Sequence, residues 1–284
     1  MAEHIEHLKD GIYEKVMSKE FADRLMEAIE AKKVWAERDD TDAYEATGYL
    51  SSYLEKLIRL CLIDIADRNT EAVLSDEIEL TNQLVEMLVE RLPDLGHGHS
   101  VVKNQFLLKS LEHVANKTSP RKWEYPDTSL TKSFLFTNSH NDTSMVSELR
   151  KEIMSADRID FLVSFIRFSG LALLLPYLRD FTNKGGHLRV ITTTYMGATD
   201  PKAVVELAKL PNTEIHISYN VKETRLHAKS YIFNRDSQFS TAYIGSSNLS
   251  HAAIAEGLEW NMKITEQDML SIMEKMTATF ETYW

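Results

Sequence analysis

The chain has 284 residues, enough for two domains, and its 43% hydrophobic and 26% charged content is that of a globular protein rather than a disordered one. The formal net charge of −11 argues against a nucleic-acid partner, but the acidity is uneven: residues 1–126 hold 25 acidic and 16 basic side chains, the remainder 18 and 16. A near-neutral second half leaves room for a local basic groove, and the charge of a groove matters more than the total.

The N-terminus is polar and acidic, unlike a signal peptide, and no apolar run reaches the roughly 18 residues of a membrane span. A cytoplasmic protein without a membrane partner is expected. Apolar residues at helical spacing predict helices over Asp10 to Ala31, Tyr49 to Ala66 and Glu77 to Leu92, the last stopped by Pro93. The charged segment Arg38 to Asp42 is expected to be a loop. The single cysteine, Cys61, falls in the apolar stretch Leu57 to Ile63, which predicts a buried structural thiol. A short further helix is expected over Asn104 to Ala115. Turn formers without periodicity from Asn116 to Asp127 mark a linker, so the expected domains are 1–125, all helical, and 126–284.

After the linker, strand and helix alternate. Strands are expected at Ser133–Thr137, Ile159–Phe165, Leu188–Thr193, Glu214–Tyr219, Arg225–Phe233 and Ser240–Gly245. Helices are expected at Ser144–Ala156, Gly170–Thr182 and Pro201–Lys209, the second closed by Gly185-Gly186. This alternation predicts an α/β domain with a parallel or mixed sheet covered on both sides.

Within it, His227 and Lys229 are two residues apart in an expected strand, which places both side chains on one face. The next strand ends in Gly245-Ser246-Ser247-Asn248 and leads into an expected helix, an arrangement of N–H groups and hydroxyls suited to an anion. A lone strand histidine is usually structural, and a lone Gly-Ser turn is usually a helix cap. Their conjunction on successive strands is what phosphate chemistry requires.

His-x-Lys followed by Gly-Ser-x-Asn resembles the phospholipase D superfamily, and the resemblance spans roughly residues 132–284. It implies a mixed sheet flanked by helices, here preceded by the small helical domain. It also implies a phosphodiesterase in which His227 attacks phosphorus and forms a phosphohistidine, without a metal or other cofactor. Lys229 and Asn248 would hold the non-bridging oxygens with help from Ser246 and Ser247, and Glu259 would orient the imidazole. Where many members carry Asp five residues after the lysine, this chain has Asn234, with Asp236 two residues on. That departure, with Glu259 downstream in preference to Glu256, resembles the nuclease branches. A second histidine is needed to protonate the leaving oxygen, and single-motif members supply it by homodimerising. His7-Leu8-Lys9 mimics the motif only in its letters.

Other candidates are weaker. Ser164, Arg167 and Ser169 follow one strand, and Thr194 lies in the turn Thr192 to Gly197; these are expected to line a substrate groove. His97-Gly98-His99 lacks further ligands placed by the sequence and is expected to be a solvated loop. The stretches Ser147–Arg150, Asp160–Ile166, His227–Phe233 and Tyr243–Ser250 resemble the N-terminal region of large bacterial superfamily II helicases. That likeness implies DNA as the partner, a role in restriction or repair, and a helicase region following this chain. Two other readings stay open: a catalytically weak DNA-binding module, and a phosphodiesterase acting on lipid or small substrates.

Overall fold

The computed structural model describes the chain except residues 1–11, 39–41, 69–70, 93–97, 105–106, 113–122, 138, 140–142, 195–196, 220–225 and 258. It divides into two compact units, residues 1–111 and 112–284.

The first unit holds three helices, α1 (Lys19–Glu30), α2 (Ala43–Asp67) and α3 (Val73–Arg91). Helix α1 begins nine residues later than the apolar spacing predicts, because Ser18 caps it by accepting the Phe21 N–H. Cys61 is exposed rather than buried. Leu57, Ile58, Leu60 and Ile63 around it are exposed as well, so the apolar run does not mark a covered face within this unit. The helix expected over Asn104 to Ala115 is not formed at residues 107–112, where Leu107, Leu108 and Leu111 stand exposed with no packing to favour a helix; other parts of that range, and 39–41 of the expected loop, lie outside the described residues.

The second unit is an α/β fold built on one seven-stranded mixed sheet. Its strands are β1 (Phe134–Phe136), β2 (Arg158–Val163), β3 (His187–Thr193), β4 (Thr213–Ser218), β5 (Lys229–Asn234), β6 (Thr241–Gly245) and β7 (Asn261–Thr265). The spatial order is β1-β7-β6-β5-β2-β3-β4. Strands β2, β3 and β4 run parallel, and every other neighbouring pair is antiparallel.

Period-two alternation sends side chains of each strand to opposite layers. On one side, Ile159, Phe161, Val163, Tyr231, Phe233 and Tyr243 pack with α4 (Met145–Ser155), α5 (Phe168–Asn183) and α6 (Pro201–Ala208). On the other, Leu162, Ile191, Ile232 and Ala242 pack against Met273 and Phe280 of α7 (Leu270–Tyr283). Gly185, with φ of +97°, closes α5 in the left-handed conformation that glycine adopts without strain.

Two charged networks cross these layers. Lys263 is fully buried and donates to Glu148 at 2.9 Å, with Glu152 at 3.0 Å; Arg235 meets Glu152 at 2.5 Å. Burial alone would push the Glu152 carboxyl up, but the Arg235 and Lys263 charges outweigh it and hold it down at about 2. At the other end of the sheet, Arg189 donates to Asp160 at 2.7 Å and to both oxygens of Glu281 at 3.0 and 2.6 Å, tying α7 to the strands.

Candidate active site

The strand directions bring the carboxyl ends of β2, β3, β4 and β6 and the starts of β5 and β7 to one edge of the sheet. The registers Val163↔Lys229 and Gly245↔Asn261 fix that alignment. Ligands of open α/β sheets gather at such an edge.

His227 lies two residues ahead of β5 in an irregular segment, not within the strand, so common-face strand geometry does not set its position. Lys229 sets it instead. Its Nζ donates to the His227 carbonyl at 2.7 Å and lies 3.0 and 3.1 Å from the ring Nδ1 and Nε2. Lys229 is buried, and that burial lowers its proton affinity below the ordinary lysine value, partly opposed by the charge of Glu259. Glu259 is half-buried in the link before β7. No hydrogen bond joins it to His227 among the described residues; its reach into the site is electrostatic.

Asn248 is buried at the same edge of the sheet, after β6. Its Oδ1 accepts the Phe165 N–H at 3.2 Å, which leaves the amide NH2 to act as donor. The turn that carries it is held from three sides. Tyr231 donates its hydroxyl to the Ser247 carbonyl at 3.0 Å, and Asn261 donates to Ser247 Oγ at 2.8 Å while accepting the Ser247 N–H at 3.3 Å. Ser247 Oγ in turn donates to the Ala253 carbonyl at 3.1 Å. Ser247 is thus fully buried and its hydroxyl holds the turn rather than facing the groove. Ser246 is exposed, and its Oγ accepts the Trp260 N–H at 3.2 Å. Gly245 is required because a Cβ there would stand 2.1 Å from the Trp260 carbonyl oxygen. The helix expected after the turn is a single π-helical turn, Ala252–Glu256.

Ser164 is buried at the end of β2 and donates to the Ala228 carbonyl at 3.4 Å, bracing the segment that carries His227. Thr194 is half-buried two strands away, its N–H on the Ser218 carbonyl. Asn234 is at the far end of β5, five residues or about 16 Å from Lys229. There it donates to Asp160 at 2.9 Å. Its substitution for aspartate therefore falls in a structural network away from the histidine. His7 and His97 lie outside the described residues, and no group of three or more metal-ligating side chains occurs among those described.

Asn261 and Tyr231 support the turn without carrying a motif of their own in the sequence. Pairing of Asn261 with Gly245 is invisible until β7 is placed, whereas Tyr231 could have been found by its two-residue offset from Lys229.

The sequence model of the family described as "Cardiolipin synthase, PLD-like domain" matches residues 149–284. Among solved structures, NucT from Helicobacter pylori is similar with 18% identity, covering 53% of this chain and 94% of that one, at a TM-score of 0.42. Nuc from Salmonella typhimurium, described as a phospholipase D family member, is similar with 17% identity over 54% and 93%, at 0.41. Polyphosphate kinase from Porphyromonas gingivalis shows 11% identity over 53% and 26%, at 0.39. A comparison with curated proteins returns no match.

Proposed function

We propose that residues 149–284, which match the PLD-like domain model, form a phosphodiesterase domain and that the chain is a metal-independent DNA nuclease acting through His227. The observation that carries this reading is Lys229 Nζ lying 3.0 Å from the His227 imidazole, at the sheet edge where Asn248 is fixed by the Phe165 N–H.

In the proposed reaction a ring nitrogen of His227 attacks phosphorus and the P–O bond to the leaving strand breaks, giving a phosphohistidine. Lys229 and the Asn248 amide donate to the non-bridging oxygens as charge grows on them, where fixed donors have their largest effect. The departing alkoxide takes a proton from a second imidazole, which then deprotonates the water that frees His227. That second imidazole is His227 of another copy, so the active unit is a two-fold homodimer. The helicase-associated role in restriction or repair belongs to the same proposal and is supported by the resemblance of four stretches.

Nicking of supercoiled plasmid in EDTA tests the reading. The parent protein nicks and His227→Ala does not. Cleavage that appears only after a divalent metal is added contradicts the proposed chemistry, and binding without any cleavage favours a DNA-binding module instead.

A further inference from the structure

The segment after β2 joins the catalytic turn to the start of α6. Phe165 N–H donates to Asn248 Oδ1 at 3.2 Å, and Arg167 N–H to the Leu249 carbonyl at 2.8 Å. On its other side, Phe168 N–H donates to Asp200 Oδ2 at 2.9 Å, and Asp200 N–H to the Ile166 carbonyl at 2.8 Å. The backbone of 165–168 is thus fixed between the Asn248 turn and the residue that opens α6.

Two exposed cations ride on this frame, each against an aromatic ring. The Arg167 guanidinium lies 6.0 Å from the Phe165 ring centre, and Lys202 Nζ lies 3.8 Å above Phe168. Neither makes an ion pair among the described residues. Asp200 is a carboxylate of the frame, one of its oxygens accepting the Phe168 N–H, and Glu206, one turn along α6, feels the Lys202 charge without pairing with it. A cation held over a ring face loses less freedom when it meets an anion than one waving in solvent. Alternating rings and cations leading away from a phosphate site form a backbone-tracking surface of the kind that binds nucleic-acid strands.

We propose that Phe165, Arg167, Phe168 and Lys202 form a track for the DNA strand flanking the scissile phosphate, with Arg167 and Lys202 each taking a neighbouring phosphate. This rests on the nuclease reading for its substrate, but its test does not depend on cleavage. The track explains how a chain of net −11 can hold a polyanion: the local arrangement, not the total charge, meets the strand.

Binding of a fluorescein-labelled 12-nucleotide single strand to His227→Ala protein is measured by anisotropy across a salt series. Adding Arg167→Ala and Lys202→Ala is expected to lower the slope of log affinity against log salt by about 1.4, since each single-strand phosphate contact contributes about 0.7. Lys202→Glu, on an exposed side chain, is expected to weaken binding further than Lys202→Ala. In the His227 parent background, the double variant is expected to lose at least tenfold more cleavage on the 12-mer than on a dinucleotide. An unchanged salt slope, or equal loss on the long and short substrates, overturns the track. A parent that cleaves neither substrate while the slope falls as stated overturns the nuclease reading and leaves the track standing.

Discussion

At the residue scale, the site depends on a lysine whose charge is made costly by burial. Lys229 is held below the ordinary lysine pKa, chiefly by desolvation, so it loses its proton earlier than a solvated lysine as pH rises. If protonated Lys229 neutralises the substrate phosphate, kcat/KM should fall on the alkaline side at a pH below 10.5. Lys229→Arg should retain part of the activity and move that limb upward, because a guanidinium stays charged. A limb that stays in place in the arginine variant would assign the titration to another group. The pairing of His227 with Lys229 was legible from their spacing, but its geometry was not. The irregular segment before β5 places the histidine, and no periodicity signals where a strand starts within two residues.

At the scale of elements, the Gly245–Asn248 turn is supported by β5, by β7 and by the single helical turn Ala252–Glu256 behind it. Gly245→Ala would force a Cβ against the Trp260 carbonyl and should cost roughly 1–3 kcal/mol while displacing Asn248. Chemical denaturation together with kcat reads both effects; a fully active, fully stable variant would mean the close approach relaxes freely. The buried network under α4 makes a second case. Lys263→Met removes the cation that both Glu148 and Glu152 contact, leaving Arg235 paired with Glu152 alone, and should destabilise by roughly 3–5 kcal/mol. An equally stable variant would show that the lysine is dispensable. The strands themselves were readable because apolar runs such as Ile159 to Phe165 are buried on both faces. Strand β7 was not identified as one, since Asn261 to Thr265 alternates Met, Lys and Ile without turn signals, and its fully buried Lys263 looks like a surface residue until its two glutamates are placed. Likewise Cys61 and its neighbours read as core because apolar spacing records which face could be buried, not whether anything covers it.

At the scale of the whole molecule, acid should weaken the fold through Glu152. Its folded carboxyl is held near 2 against an ordinary 4.5, so its contribution is present above 4.5 and is lost as pH falls towards 2. Thermal melting across that window should show a falling Tm, and Glu152→Gln should flatten the decline while lowering stability at neutral pH. A decline of the same steepness in the glutamine variant would place the acid sensitivity elsewhere. With one such motif per chain, specific activity should drop on dilution as the proposed dimer dissociates, and sedimentation should find the active species to be two chains; a monomer of full activity contradicts the shared site. The proposed covalent bond between phosphorus and His227 can be tested by quenching the reaction on an oligonucleotide in EDTA with denaturant at alkaline pH. Trypsin would release Leu226–Lys229, and mass spectrometry would read its mass. A nucleotide adduct on His227 is expected in that peptide, absent in Asn248→Ala protein that no longer turns over. Steady cleavage with no adduct on His227, or with the adduct on another residue, would contradict it.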